Sequence, residues 1–260
     1  MPIALVNGQH IAYEDSGQDL PAVVFSHGFL MDKSMFSAQV SEFASDYRCI
    51  CWDERGFGDT PAKESFSYWD SADDLMALLD SLGIEQAVLA GMSQGGFLSL
   101  RAALRYPKRV KALILIDSGV HVDPPEVLAG YSEMMQHWMS DEPLGEVGAN
   151  VAGLILGDAE LEKQWTKIWE SRDRYSLKYP SEALLTRDDI GDRVSEISCP
   201  VIMIHGEEDF AIPLESAEQL SPRFPDSRGL VKVPGAAHAA NMTHPNIVNP
   251  AIATFLASIV

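Results

Sequence analysis

The chain has 260 residues, 46% of them hydrophobic and 22% charged, a balance that supports one sizeable buried core and excludes collagen-like or disordered character. Its formal net charge is −19 at pH 7. A polyanion cannot gain affinity by releasing counterions from a phosphate backbone and is repelled by anionic lipid, so neither nucleic acid nor membrane is expected as a partner.

Met1–His10 has no basic segment and no long apolar run, and no stretch approaches the ~18 apolar residues that span a bilayer, so the expected compartment is the cytoplasm. The three cysteines agree. Cys49 and Cys51 sit two apart in an apolar run, and with Cys199 they make an odd count without metal-site spacing, as expected of small core residues in a reducing compartment.

In chain order, Ile3–Val6 and His10–Glu14 flank Asn7-Gly8, a two-residue hairpin signal. Ala22–Ser26 is a short apolar strand ending at His27-Gly28. Met35–Ser45 has helical spacing, with Phe36, Val40 and Phe43 on one face. Arg48–Trp52 is a second buried strand, closed by Asp53-Glu54-Arg55-Gly56-Phe57-Gly58. Trp69–Leu82 is an amphipathic helix with Leu75, Leu78, Leu79 and Leu82 on one stripe and Gly83 past its end. Then come a strand at Ala87–Ala90, a helix at Gly95–Tyr106 stopped before Pro107, and a strand at Ala112–Ile116. Further on are the strand Val201–Ile204, the helix Leu214–Leu220, the strand Leu230–Val233 and a last helix at Ala251–Ile259. Short, fully apolar strands alternating with helices predict an α/β fold: a mostly parallel sheet with helices on both faces.

One stretch breaks the alternation. From Ser118 to about Asp189 only helical segments are legible, near Pro125–Met139, Pro143–Leu156 and Glu160–Ser176. The expected organisation is a core of residues 1–119 and 190–260 with a helical cap, or lid, inserted at 120–189. Taken singly, Met134, Met135, Met139, Trp138, Trp165 and Trp169 read as the insertion's own core. Together they suit an adaptable lining over an apolar pocket.

Gly91-Met92-Ser93-Gln94-Gly95-Gly96 joins a strand to a helix. A Gly-x-Ser-x-Gly match arises by chance in about one in ten chains of this length, but at a strand-to-helix elbow it has a mechanical reason. The serine takes a strained backbone, and the residues two before and two after it must lack colliding side chains. The helix N-terminus behind Ser93 also favours a developing negative charge. Such a serine is a weak nucleophile without a base in reach.

These segments, together with Ser26-His27-Gly28-Phe29, Asp53 to Thr60, His205-Gly206-Glu207-Glu208-Asp209 and Gly235-Ala236-Ala237-His238, resemble the α/β-hydrolase fold enzymes nearly end to end. The resemblance implies a nucleophile–acid–histidine order along the chain, which Ser93, Asp209 and His238 follow. It implies His238 as base and Asp209 as the acid orienting it, with Glu207, Glu208 and Asp117 as rival acids. It implies an oxyanion hole from the backbone N–H groups of Phe29 and Gln94, and a structural role for His27, Asp53 and Arg55. Phe29, Leu30, Met92, Met135, Trp138, Trp165 and Phe210 are the expected substrate-lining residues.

The implied activity is hydrolysis of a carboxylic ester or lactone through an acyl-enzyme, with no metal or organic cofactor. The partner expected is a small molecule, and a homo-oligomer is compatible with the sequence. C–C bond hydrolysis, perhydrolysis and a ligand receptor that keeps the triad remain alternatives. Serine at the elbow disfavours dehalogenase and epoxide hydrolase chemistry, which the fold runs with aspartate there. Residues 120–189 carry fourteen acidic and six basic side chains, which disfavours a multiply anionic substrate. A pocket arginine would reverse that inference, and Arg172, Arg174 and Arg187 are the candidates.

Overall fold

Eight strands form one sheet in a computed structural model that describes residues 2–17 and 19–259. They are β1 (Ile3–Val6), β2 (Gln9–Asp15), β3 (Ala22–Ser26), β4 (Arg48–Trp52), β5 (Ala87–Met92), β6 (Val110–Ile116), β7 (Val201–Gly206) and β8 (Ser227–Val233). Their order across the sheet is β1-β2-β4-β3-β5-β6-β7-β8. The opening hairpin is antiparallel and pairs antiparallel with β4, and every later pairing is parallel. Asn7 and Gly8 both take positive φ, as the tight turn between β1 and β2 requires.

The parallel strands β3, β5 and β7 are buried throughout because helices cover both faces. Alternation along each strand splits the apolar residues between two cores. In β3, Val23 and Phe25 enter one and Val24 the other. In β4, Cys49 and Cys51 share a face, as their spacing predicts, and Ile50 faces oppositely. Burial pushes the Cys49 thiol up to about 11, which keeps it protonated and inert.

The helices are α1 (Ser37–Phe43), α2 (Tyr68–Ser81), α3 (Gln94–Arg105), α4 (Pro125–Trp138), α5 (Gly145–Ile155), α6 (Ala159–Ser171), α7 (Lys178–Leu185), α8 (Leu214–Leu220), α9 (Ala240–Thr243) and α10 (Pro245–Ala257). Before α2 the Ser67 side chain accepts from Asp70 N–H, and the Asp70 carboxylate accepts from Ser67 N–H at 2.8 Å. This reciprocal cap starts the helix one residue before the sequence suggested.

Two boundaries differ more. The last helix begins at Pro245 and runs through Pro250, whereas its start was expected at Ala251. Proline at the first position gives up only a donor without an intrahelical acceptor, and the helix tolerates the second proline further in. α7 was not foreseen as a separate helix. Its Pro180 lies in the first turn, where a missing N–H is harmless.

Helices α4 to α7 all fall between β6 and β7, and no strand occurs from Asp117 to Pro200. Their apolar faces do not form a separate core. Trp138, Val151, Trp165 and Trp169 belong to the same cluster as Val23 and Phe25 of the sheet. No helix among the described residues is long and apolar enough to cross a membrane.

A buried ion pair ties the loop after β4 to α2. Arg55 Nε donates to Asp74 at 2.5 Å, and Asn7 Nδ2 of the hairpin turn donates to the same carboxylate at 3.0 Å. The Asp74 side chain is fully buried and that of Arg55 nearly so. Asp74→Ala should therefore strand a buried guanidinium and destabilise the fold by about 3–5 kcal/mol in urea unfolding. The double variant Asp74→Leu, Arg55→Met should recover most of that loss.

Candidate active site

Parallel strands of an open α/β sheet present a crevice at their carboxyl ends, and the candidate residues gather there. β5 ends at Met92, α3 begins at Gln94, and Ser93 between them has φ 51° and ψ −115°. That strained conformation turns its side chain out of the sheet. A side chain at Gly91 would press into the backbone of Gly95 and Gly96, and one at Gly95 into the carbonyl of Ser26. The glycines are thus required by close approach, which lets the elbow seat against β3.

His238 lies in the loop after β8 and Asp209 in the loop after β7. Ser93 Oγ is 2.9 Å from His238 Nε2, and His238 Nδ1 is 2.8 Å from Asp209 Oδ2. With Nδ1–H donating to the carboxylate, Nε2 is left to accept from the serine hydroxyl. All three side chains are buried. Among the candidate acids, Asp209 is the one that reaches the imidazole. Glu207 and Glu208 are exposed.

Asp209 is well supplied with donors. Its Oδ1 accepts from the N–H groups of Ala211 and Ile212, each at 2.9 Å, and its Oδ2 also lies 3.2 Å from His205 Nε2. Burial alone would raise its pKa. The neighbouring His238 and His205 and the backbone donors outweigh that and hold the carboxyl well below the usual carboxylate range.

The turn expected to supply an oxyanion donor follows β3. Its close fit shows at Gly28, where an added side chain would press on Met92 Sδ and lie 3.6 Å from Ser93 Cβ. His27 is locked between two backbone groups: Nδ1–H donates to Gly28 O at 2.8 Å, and Nε2 accepts from Glu54 N–H at 3.1 Å. Burial lowers its pKa, so the ring is neutral and structural. Among the described residues the N–H of Phe29 donates no hydrogen bond. The N–H of Gln94, at the start of α3, has no intrahelical acceptor. The Gln94 side chain is anchored, donating to Glu54 Oε1 at 3.1 Å and accepting from the Tyr68 hydroxyl at 3.3 Å. Burial pushes Glu54 well above its ordinary pKa.

A cavity of about 500 Å³ opens over Ser93 and His238. Phe29, Leu30, Met92, Met135 and Phe210 all line it, with Phe210 at the surface, 81% exposed. Two expected lining residues lie elsewhere. Trp138, one helical turn beyond Met134 on α4, lies past Leu30 and lines a second cavity. Trp165 lines neither, since its indole is buried against Trp169, with ring centroids 6.3 Å apart. Their aromatic bulk serves packing within the insertion. Lining residues not singled out from the sequence include Tyr131, Val151, Leu154 and Ile155. On α5, Val151, Leu154 and Ile155 recur at helical spacing, a signal that marks a buried face without saying what it faces.

Of the three candidate arginines, Arg187 lines this cavity, but its guanidinium is paired with Asp123 at 2.7 Å. Arg172 and Arg174 line the second cavity. Asp117, His205 and Asp209 have ligand-type atoms within 4.8 Å of one another. The oxygens and His205 Nε2 are already committed to hydrogen bonds, so this cluster does not suit a metal ion.

Asp117 is the residue whose role the sequence concealed. It directly follows β6, is fully buried, and its carboxyl group accepts from Gly206 N–H at 2.7 Å and Ala240 N–H at 3.0 Å. It thereby joins the loops of Asp209 and His238. Burial, helped by the charge of Asp209, pushes its pKa from the ordinary 3.8 up to about 7. The folded protein therefore holds a proton that the unfolded chain releases. The stability this contributes is complete below about pH 4 and is lost as pH rises through about 7. Asp117→Asn should flatten the pH dependence of unfolding free energy between pH 4 and 7, whatever its effect on absolute stability. Parallel wild-type and variant profiles would refute the assignment.

A family model described as alpha/beta hydrolase fold matches residues 21–155. The Escherichia coli (strain K12) protein named "Putative carbamate hydrolase RutD" is 28% identical over 251 residues, 93% of each chain. A thermophilic esterase from Thermogutta terrifontis superposes with a TM-score of 0.90 at 26% identity, over 99% of this chain and 98% of that one. The enol-lactonase of Burkholderia xenovorans LB400 superposes with a TM-score of 0.88 at 22% identity, over 98% and 100% of the two chains.

Proposed function

The chain belongs to the alpha/beta hydrolase fold family, and from that membership we propose that it is a serine hydrolase cleaving a neutral carboxylic ester or lactone through an acyl-enzyme on Ser93. The observation that carries this reading is the hydrogen-bonded series Ser93–His238–Asp209 opening on an apolar cavity.

Ser93 Oγ attacks the substrate carbonyl while His238 Nε2 takes its proton, and the fixed Asp209 carboxylate stabilises the imidazolium formed. The tetrahedral oxyanion accepts hydrogen bonds from Phe29 N–H and Gln94 N–H. Collapse breaks the bond to the alkoxide, which receives the proton from His238 Nε2. Water then gives a proton to the same nitrogen, adds to the acyl carbonyl, and releases the acid as Ser93 regains its hydrogen.

A neutral substrate follows from the cavity's charges. Arg187, with a side chain only 5% exposed, is neutralised by Asp123, and His121 faces Asp189 at 3.2 Å. A carboxylate on the acyl part would lose water with no free cation to replace it. The esterase and the lactonase share this architecture, and the relative named as a carbamate hydrolase makes carbamates the competing class.

The test is a panel of p-nitrophenyl esters of graded length, γ- and δ-lactones and a p-nitrophenyl carbamate, with Ser93→Ala as control. We expect kcat for the best ester or lactone to fall roughly 10⁴–10⁶-fold in Ser93→Ala. Undiminished turnover in that variant would end the proposal, and faster cleavage of the carbamate than of any ester would reassign the substrate. We also expect p-nitrophenyl hydrogen succinate to have a kcat/KM at least about tenfold below that of the butyrate, the cost of a modest desolvation penalty.

A further inference from the structure

Leu30 is a wall shared by two cavities. The second, about 420 Å³, lies between the loop after β4 and the inserted helices, away from Ser93. Its apolar side is Phe57, Trp138, Trp169 and Leu177, and the indoles of Trp138 and Trp169 meet edge to face with centroids 5.3 Å apart.

Of the four charged residues lining it, Arg172 is paired with Asp32 and Asp59 with Lys33 at 2.8 Å. Asp173, an exposed carboxylate, accepts among the described residues only from a backbone N–H, that of Tyr175 at 3.0 Å. Arg174 differs. Its Nη2 donates to the carbonyl of Ser140 at 2.6 Å, its Nη1 is buried without a hydrogen-bond partner, and no carboxylate among the described residues lies within ion-pairing distance. In a chain of net charge −19, whose arginines otherwise pair with carboxylates almost throughout, an uncompensated guanidinium beside an aromatic wall is a site left for an anion. The positive charge suits a carboxylate, and the indoles suit a flat apolar body.

This wall also touches the oxyanion turn. Trp169 Nε1–H donates to Leu30 O at 2.8 Å, and Leu30 holds φ at 66°, directly after Phe29. A ligand resting on Trp169 restricts that indole, and through it the Leu30 carbonyl and the peptide that orients Phe29 N–H.

We propose that the second cavity binds a small carboxylate with a flat apolar body through Arg174, separately from the Ser93 cavity, and that occupancy favours the reactive setting of the oxyanion turn through Trp169. The binding clause stands independently of the acyl-enzyme reading, and the effect on turnover rests on it.

Benzoate is the probe and benzyl alcohol its uncharged counterpart, titrated calorimetrically into the full chain. We expect one benzoate per chain, at least about tenfold weaker binding in Arg174→Gln, partial retention in Arg174→Lys, and no change in Arg187→Gln. Benzyl alcohol should bind at least about tenfold more weakly than benzoate. Ester turnover without benzoate should be unchanged in Arg174→Gln, which also certifies its fold. Saturating benzoate should raise wild-type kcat about twofold or more at constant KM, and this rise should vanish in Trp169→Phe. Equal binding by Arg174→Gln, loss of binding in Arg187→Gln, or competitive inhibition by benzoate would overturn the site. Binding that leaves kcat untouched would overturn the link to the turn. Failure of the Ser93 reading would show separately, as absent ester turnover in every variant with calorimetric binding intact.

Discussion

The loops bearing Asp209 and His238 leave the sheet from different strands, and a third carboxylate holds them in register. Asp117 accepts one N–H beside each loop, from Gly206 at the end of β7 at 2.7 Å and from Ala240 at the start of α9 at 3.0 Å, while the next residue, Ser118, donates its hydroxyl to Ser93 O at 2.8 Å. A two-residue corner at the end of β6 thus touches all three segments that form the Ser93–His238–Asp209 series. Proton transfer needs heavy atoms within about 2.6–3.2 Å, and an error of about 1 Å can cost 10²-fold in rate. Three loops with independent positions would not meet that tolerance.

The corner can do this because it is dry, and dryness has a consequence for charge. Two carboxyl groups, Asp117 and Asp209, lie in one buried cluster, and both cannot ionise cheaply. The structure separates them by their partners. Asp209 has two imidazoles and two backbone donors and stays ionised, whereas Asp117 has two backbone donors and retains its proton up to about pH 7. The charge is placed where the imidazole needs it. His205 shares in this arrangement. Burial disfavours its charged form, but its contact with the Asp209 carboxylate and its hydrogen bond to the Ile212 carbonyl outweigh that and raise its pKa.

The order of elements was largely legible in the sequence because its signals are local. Fully apolar strands, the stripe of leucines on α2 and the Asn-Gly turn each follow from neighbours within a few residues. Boundaries failed around Pro180 and Pro250, where the helices include prolines that the expected ranges left out, because position within the helix decides whether a missing N–H matters. At the site, Ser93, Asp209 and His238 were recognisable from motifs, and the fold brings them into contact. The cavity was less legible. Trp138 and Trp165 carry the composition of a pocket lining but not its direction, because which side of Leu30 a residue on α4 reaches depends on how the insertion docks. Asp117 was visible as a carboxylate after an apolar strand. Nothing local shows that its partners lie 89 and 123 residues away.

Backbone strain follows the same geography. Besides Asn7 in the hairpin turn, the non-glycine residues with positive φ among those described are Leu30, Ser93 and Asp117. They lie just beyond the carboxyl ends of β3, β5 and β6, three adjacent strands. Such conformations cost on the order of 1–3 kcal/mol each and persist only where surrounding contacts over-determine them. Those contacts are identifiable: the Trp169 indole on Leu30, the close-packed glycines beside Ser93, and the two backbone N–H groups on Asp117. A chain relaxed at these three positions would give up the outward-turned hydroxyl, the setting of the Phe29 N–H and the joined loops together. The strain is therefore concentrated beside the Ser93–His238–Asp209 series, and the stability of both cores is what sustains it.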